Sequence, residues 1–304
     1  MPQSIGLLAA ILSSAIGGTA IVATRYLAGA LDPVAIGVVR FAGGVIVLLP
    51  VALLRGEPWP SRRDWPAVAG LGALFFGLFP ILFNASLSYT TAARGALALS
   101  TTPLLTMLVG AALGIERLAL HKSLGVLVAM AGVAFALGSG LHAAPPDAWL
   151  GDLLMVAGGF CMALYNVWSQ PFIGRSGPIT FTTAGMAIGA VLLTGLALAR
   201  GDLGAFAALD TAQWLACAYL AIICAALIFF LWAYALGRTP PTLVAVSIAV
   251  NPVTASVVGL VLLGEAITAG LIVGLVMVLA GIALASGLIP LRYSGRHRPP
   301  APRP

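Results

Sequence analysis

Two prolines interrupt long apolar segments of the sequence, Pro103 in the first half and Pro252 in the second. Proline has no amide hydrogen and crowds the carbonyl four residues earlier, so each proline removes a helical hydrogen bond and kinks or opens the helix. Within a membrane, such a break exposes backbone polar groups to a ligand, unless neighbouring helices satisfy them and the kink only serves packing. We predict Pro103 and Pro252 as hinges, with packing kinks as the alternative.

Polar side chains precede both prolines: Ser100 and Thr102 in the first segment, Ser247 and Asn251 in the second. A polar group in hydrocarbon is costly without a partner, so these side chains should face the bundle interior or a cavity. We predict that they contact a ligand, with Asn251 as the first candidate. The alternative is a set of hydrogen bonds between helices.

Aromatic side chains recur at helical spacing in three apolar segments. The candidates for a binding site are Phe79 and Phe83, followed by Asn84, in one segment, Tyr165 and Trp168 in another, and Trp232 in a third. Such stripes are more common in a packed core or against lipid than on a pocket wall. Where a stripe faces inward, the cavity is apolar with few polar groups, which favours an apolar or aromatic amino acid over a sugar phosphate.

Arg40 is a basic residue inside the second apolar segment, and the equivalent residue in the second half is Gly185. A guanidinium at this depth is costly unless it reaches the interface, meets a helix-end carbonyl or binds an anion. We therefore keep Arg40 as a candidate contact for a ligand carboxylate, beside the interfacial and carbonyl-bound alternatives.

Acidic residues and histidines are absent from the centres of the apolar segments. This distribution disfavours a proton-coupled pump built around a buried carboxylate. The sequence has no Walker A, HExxH or GxSxG motif, and its three cysteines form no CxxC pair. We predict no metal, no cofactor and no enzyme activity.

The composition identifies the elements that must position these residues. Of 304 residues, 61% are hydrophobic and 8% are charged. A soluble core cannot bury so much apolar surface, so the predicted fold class is an all-α integral membrane protein. Ten apolar runs are long enough to span a bilayer as helices, at 4–27, 33–54, 65–89, 92–114, 119–140, 149–171, 178–199, 211–236, 241–263 and 267–289.

Basic residues are unequally divided between the two sides of this predicted bundle. With the amino terminus inside, the outer loops hold only Arg94 and Arg200, while the inner loops and the carboxyl-terminal tail hold most of the rest. The positive-inside rule then places both termini in the cytoplasm. The scattered charges form no aromatic-interleaved patch, so the lipid bilayer is a predicted partner and nucleic acid is not.

The sequence contains an internal repeat. Residues 65–138 match residues 214–287 without a gap, with the same residue at 20 of 74 positions. We predict two five-helix repeats at 1–142 and 143–291, followed by a disordered basic tail at 292–304. Because each repeat has an odd number of helices, the second enters the membrane from the opposite side, and the ten helices form two inverted repeats.

In each copy, a proline is followed by Gly-x-x-Leu, a glutamate and a glycine-rich segment. The residues are Pro103, Gly110, Leu113, Glu116 and Gly125 in the first copy, and Pro252, Gly259, Leu262, Glu265 and Gly274 in the second. This pattern resembles the drug/metabolite transporter superfamily of EamA-like proteins, most closely the bacterial exporters of aromatic amino acids. The resemblance implies a secondary transporter with its site between the two halves.

From this resemblance we predict an exporter of small metabolites in the bacterial inner membrane, in particular of apolar or aromatic amino acids. It should work by alternating access with uncoupled, facilitated flux. Alternatives are a drug or nucleotide-sugar carrier of the same superfamily, and a passive channel or membrane scaffold. The expected assembly is a monomer or a weak homodimer.

Two expectations concern packing. Glu116 and Glu265 precede the fifth and tenth apolar segments. We predict that each carboxylate caps the start of the helix that follows it, with a gating contact as the alternative. Small residues, among them Gly132 and Gly274, recur at the same spacing in the fifth and tenth segments. They should allow close helix packing, either within the chain or in a dimer.

Overall fold

The computed structural model describes residues 2–115, 120–139 and 145–285, and within these ranges all regular structure is helical. We number the main helices α1 (Pro2–Leu27), α2 (Pro33–Arg55), α3 (Trp65–Tyr89), α4 (Ala92–Ala112), α5 (Leu120–Ser139), α6 (Ala148–Trp168), α7 (Pro178–Arg200), α8 (Thr211–Leu236), α9 (Pro241–Leu263) and α10 (Ala269–Ala285). A short helix, Gln170–Ser176, and a 3₁₀ helix, Asp202–Ala208, lie in two of the connections.

Eight of the described helices are long and apolar enough to cross a membrane, whereas the apolar parts of α5 and α10 are shorter. The outer surfaces carry large exposed apolar side chains, such as Leu54 at 87%, Ile46 at 74% and Val261 at 73% exposure. Such surfaces suit contact with lipid. The predicted all-α membrane fold is confirmed, while the count of ten spans stays a prediction. The predicted tail, 292–304, lies outside the described residues.

Helix ends follow local chemistry. Asp32 precedes α2 and accepts a hydrogen bond from the Val34 amide at 2.9 Å. Asp210 and Gln213 form a reciprocal capping box at the start of α8. Gly56 ends α2 in the left-handed region, with φ of 66°, where residues with a Cβ are strained. These signals explain why the predicted helix boundaries fall close to the observed ones.

Four helices are irregular near mid-length. In α4, a turn at Ser100 and Thr101 separates two helical pieces, and in α9 a 3₁₀ segment occupies Ser247–Val250. Both breaks immediately precede the prolines, as predicted. In addition, α3 and α8 each contain a π-helical turn, at Ala73–Leu78 and Ile222–Leu227. No pattern in the sequence predicts these π-helical turns.

Equivalent helices of the two halves pack against each other in antiparallel pairs. Gly37 of α2 faces Leu193 of α7, and the later Gly44 faces the earlier Met186. The helices α5 and α10 pack in the same way through glycines. A Cβ on Gly132 would lie 2.7 Å from the Gly274 carbonyl oxygen. The small residues of α5 and α10 therefore pack within the chain.

Several contacts recur at equivalent positions in both halves. The Arg25 guanidinium donates to the Leu87 carbonyl at 2.8 Å, and the Gln170 amide donates to the Leu236 carbonyl at 2.9 Å. These donors are 145 residues apart and these acceptors 149, the offsets that align the corresponding helices. Across the halves, α1 packs on α8 and α9, while α6 packs on α3 and α4.

Candidate functional site

A cavity of about 50 Å³ lies between the two halves, at the level of the breaks in α4 and α9. It is lined by residues of α1, α2, α3, α4, α6, α8 and α9, among them Ser13, Ser14, Arg40, Phe79, Phe83, Trp232 and Asn251. Most of the lining is apolar or aromatic. Five of the predicted site residues therefore line one cavity, although they lie on four different helices.

Arg40 is buried, with 4% of its surface exposed, and it lines the cavity. Its Nη2 donates to the Cys224 carbonyl at 3.2 Å, while its Nε has no partner among the described residues. Cys224 lies in the π-helical turn of α8, where the wider helical winding leaves carbonyls free to accept other donors. The interfacial alternative is therefore wrong for Arg40, which stays in the protein interior.

Aromatic rings surround this guanidinium. The Cζ of Arg40 lies 5.4 Å from the ring centre of Phe229, 5.5 Å from that of Phe41 and 5.8 Å from that of Phe83. At these distances the ring faces attract a cation. No carboxylate of the described residues forms an ion pair with Arg40. The charge is held by weak contacts and one carbonyl, which leaves it available to an anion.

Asn251 begins the second helical piece of α9, directly after the 3₁₀ segment. Its side chain is buried, lines the cavity and has an Oδ1 without a hydrogen-bond partner among the described residues. A glycine of α1 makes room for it, because a Cβ on Gly17 would lie 3.2 Å from that Oδ1. A buried, unpaired amide oxygen at a cavity wall is a candidate ligand contact.

Two serines of α1 line the cavity and form hydrogen bonds to α8 and α9. Ser13 donates to the Ile228 carbonyl at 2.9 Å, and the Ser14 hydroxyl is 2.9 Å from that of Ser247. Ser247 in turn donates to the Val244 carbonyl at 2.7 Å, within its own helix. These hydroxyls are satisfied within the protein, so they stabilise the helix contacts around the break in α9.

Trp232 is fixed by a buried amide. Its indole Nε1 donates to Asn166 Oδ1 at 2.9 Å, and Asn166 Nδ2 lies 3.5 Å from Thr106 Oγ1. This chain connects α8, α6 and α4 beside the cavity. Because the indole N–H has a partner, the ring holds one orientation and presents an apolar surface to the cavity.

Both halves of the chain match one known protein family. A model described as the EamA-like transporter family matches residues 4–138 and, separately, residues 149–287. The chain belongs to the EamA-like transporter family. It is therefore a multi-pass membrane transporter and not an enzyme, and the resemblance predicted from the sequence is confirmed.

Relatives of this EamA-like transporter include curated bacterial proteins. "Uncharacterized transporter YyaM" of Bacillus subtilis is 25% identical over 269 residues, 87% of this chain and 88% of that protein. "Probable terminal-alkyne amino-acid exporter" of Streptantibioticus cattleyicolor is 28% identical over 240 residues, 79% of this chain and 77% of that protein. A crystal structure with 24% identity has a TM-score of 0.71 and covers 97% of this chain and 99% of its own, which shows a shared fold.

Several predicted contacts of the EamA-like transporter lie outside the lining of the cavity. Ser100 donates to the Ala96 carbonyl at 3.0 Å, and Thr102 donates to the Leu99 carbonyl at 2.6 Å. Because Pro103 has no N–H to donate to the Leu99 carbonyl, the Thr102 hydroxyl takes the place of that donor. The role of Ser100 and Thr102 as substrate contacts stays a prediction.

Three other predicted residues are also placed away from the cavity. Asn84 is fully buried and donates to the Pro33 carbonyl at 2.8 Å, which ties α3 to the start of α2. Tyr165 stacks on Phe75, with ring centres 4.0 Å apart. Trp168 is 42% exposed and lines an apolar groove on the outer surface. Direct substrate contact by these three residues has no support from their positions.

Glu265 caps a different helix from the predicted one. Its Oε1 accepts from the Ala92 amide at 3.0 Å and its Oε2 from the Ala93 amide at 3.5 Å, so it caps α4 of the other half. The start of α10 is capped by Thr268, which accepts from the Leu271 amide at 3.2 Å. The prediction was right about capping and wrong about the helix. Glu116 lies outside the described residues.

Ion pairs lie near the helix ends. Arg94 of α4 pairs with Asp152 of α6 at 2.6 Å, close to the start of both helices. Outside the spanning segments, Arg175 pairs with Asp64 at 2.7 Å. The hydrogen bond from Arg175 lowers the pKa of Asp64 and raises that of Arg175 itself. The first pair joins α4 to α6, and the second joins the start of α3 to the short helix Gln170–Ser176. The lining of the cavity contains no described carboxylate.

The sequence reasoning missed Ser13 and Ser14, although both lie mid-helix and are followed by Gly17 and Gly18. A polar pair followed by small residues inside an apolar helix indicates close contact with a neighbouring helix. It also missed Asn166 as the partner of Trp232. Within the described residues, no group of three metal-ligating side chains comes together.

Proposed function

We propose that this protein exports small metabolites that carry a carboxylate, in particular amino acids with apolar or aromatic side chains. The observation that carries the proposal is Arg40, a buried guanidinium without a described acidic partner, at the wall of an aromatic cavity. A buried cation is costly unless an anion completes its environment, and a substrate carboxylate does so. The printed name of the Streptantibioticus relative, an amino-acid exporter, supports the same class of substrate.

The proposed mechanism is alternating access between two inverted five-helix repeats that together make ten spans. The antiparallel pairing of α2 with α7, and of α5 with α10, is what an inverted repeat requires. Contacts that recur at equivalent positions, such as those of Arg25 and Gln170, support a twofold relation between the halves. Each half can then adopt the conformation of the other, which moves the opening from one side to the other.

The cavity must widen during this cycle. A volume of about 50 Å³ holds only about three to five waters, at about 10–15 Å³ each by the same measure. An amino acid requires more space, so the halves separate to admit it. The predicted hinges, Pro103 and Pro252, adjoin the irregular turns of α4 and α9, where the regular helix is already interrupted.

The remaining features of the proposal come from the sequence. Both termini are placed in the cytoplasm by the distribution of basic residues, in a bacterial inner membrane. The protein acts as a monomer or a weak homodimer. Flux follows the substrate gradient without a coupled ion, since the described cavity wall contains no carboxylate to carry a proton.

Reconstitution in liposomes tests this proposal. Unlabelled L-leucine or L-phenylalanine inside the vesicles should accelerate uptake of the labelled amino acid, and the rate should saturate, without any imposed ion gradient. Flux that rises linearly with concentration would indicate a channel. Saturable flux that stops without a proton or sodium gradient would overturn the uncoupled mechanism, and no flux of any amino acid would overturn the substrate class.

A further inference from the structure

Several apolar residues of the cavity wall occupy equivalent positions in the two repeats. Equivalent positions of the two halves both contribute, and the pairs are Phe79 with Ile228, Phe83 with Trp232, and Leu99 with Ile248. The two halves therefore contribute similar apolar surfaces to the cavity wall. It can accept an apolar side chain without favouring either half.

The polar residues of the cavity wall, in contrast, have different residues at the equivalent positions of the other repeat. Arg40 corresponds to Gly185, and Asn251 corresponds to Thr102, whose hydroxyl already donates to a carbonyl of its own helix. The polar end of the cavity is thus formed at positions where the two copies have diverged. Residues that differ in this way fix the orientation of a ligand, which the apolar wall alone cannot do.

These two polar residues carry unsatisfied groups of opposite character. Arg40 offers a charged donor, since its Nε has no described partner, and Asn251 offers an acceptor, its Oδ1. The neighbouring Ser13 and Ser14 are already hydrogen-bonded. A ligand that satisfies both open groups must have an anionic acceptor and a hydrogen-bond donor close together, because the cavity is small.

From this asymmetry we infer that the site recognises the zwitterionic head group of an α-amino acid, with the carboxylate on Arg40 and the α-ammonium on Asn251 Oδ1. The inference rests on the proposed function and deepens it by assigning the second group. The side chain then lies against the aromatic wall of Phe79, Phe83 and Trp232. A carboxylate without the ammonium leaves Asn251 Oδ1 buried and unpaired, which weakens binding.

Pairs of ligands that differ in the ammonium test the inference. Binding of L-phenylalanine is compared with 3-phenylpropionate, and L-leucine with 4-methylpentanoate, on purified full-length protein by isothermal titration calorimetry. The unmodified protein should prefer each amino acid by about tenfold to a hundredfold, the effect of one hydrogen bond to a charged group. Asn251→Ala should remove this preference by weakening only the amino acids.

A leucine side chain has nearly the same shape as that of asparagine but no polar atoms, so Asn251→Leu should have the same effect as Asn251→Ala. This second variant shows whether a loss of binding comes from the missing amide or from altered packing. Phe79→Ala is the matched control, because it should weaken both members of each pair equally. The inference is overturned if both Asn251 variants also weaken both members equally, or if the unmodified protein binds both members with the same affinity. If it binds neither, the proposed amino-acid substrate fails as well, so the two failures are distinguishable.

Discussion

At the residue scale, Arg40 combines a cost to stability with a role in binding. Its charge is buried and has no acidic partner among the described residues, with a single carbonyl as its hydrogen-bond acceptor. A charge in such a place costs stability, because apolar residues of similar volume often stabilise a protein more. Substrate binding and thermal stability should therefore respond in opposite directions to its removal.

We predict that Arg40→Met weakens amino-acid binding by about tenfold to a hundredfold, because the charged hydrogen bonds to the carboxylate are lost. The apparent melting temperature without substrate should stay the same or rise, since a desolvated charge is removed. Arg238→Met is the matched control, because Arg238 is exposed and rests on the Tyr234 ring. Unchanged binding by Arg40→Met would contradict the assignment.

The residues of the cavity could be predicted from the sequence only in part. Arg40 and Asn251 are polar residues in apolar helices, and the cost of exposing them to lipid directs them inward. Trp168 and Tyr165 carry no such signal, since an aromatic ring is stable both in a core and against lipid. The structure places Trp168 at the outer surface and Tyr165 in an aromatic stack, and neither position could be derived from helical spacing.

At the element scale, the breaks in α4 and α9 were predictable because the effect of proline is local. Pro103 and Pro252 each remove one amide and disturb the turn before them. The π-helical turns of α3 and α8 lack a comparable signal in their sequences. One of them supplies the carbonyl that holds Arg40, so part of the site depends on a feature that sequence patterns do not reveal.

The pairing of α5 with α10 gives a prediction about stability. A Cβ added at Gly132 would lie 2.6 Å from Met277 Cβ and 2.7 Å from the Gly274 carbonyl oxygen, closer than packing allows. Gly132→Ala should therefore push these helices apart and destabilise the protein by about 1–3 kcal/mol. The measurement is the shift of the apparent melting temperature in detergent.

Gly70→Ala is the control, because the added Cβ would meet nothing within 4 Å and Gly70 also lies in a helix. This variant should be neutral or stabilising by up to about 1 kcal/mol, since alanine favours the helix over the unfolded chain. Equal effects of the two substitutions would show that the contact between α5 and α10 does not stabilise the fold.

At the scale of the whole molecule, Glu265 joins the two halves at one end. Its carboxylate accepts from the first amides of α4, although it follows α9 in the other half. From its position in the sequence, Glu265 was predicted to cap the helix that follows it. That prediction was wrong because a single sequence does not reveal which helices are adjacent in space. If the halves separate at this end during transport, the contact between Glu265 and α4 must break and re-form in each cycle.

A reversible cross-link at this contact should therefore stop transport without blocking binding. The variant carries Thr91→Cys with Glu265→Cys, since both positions are partly exposed. A short disulfide-cleavable bifunctional thiol reagent joins the two positions in liposomes. Counterflow should fall to background and return when a reductant cleaves the link, because the halves cannot separate while it is present. The three native cysteines are buried and should react slowly.

The two single-cysteine variants, treated with the same reagent, separate the cross-link from the loss of the Glu265 cap and from simple modification. They should keep counterflow, with at most the reduction caused by losing one helix cap, about 1 kcal/mol of local stability. Full counterflow by the cross-linked double variant would show that α4 and the end of α9 stay together throughout the cycle. The moving boundary would then have to lie elsewhere, and separation of the two halves at the Glu265 contact would be wrong.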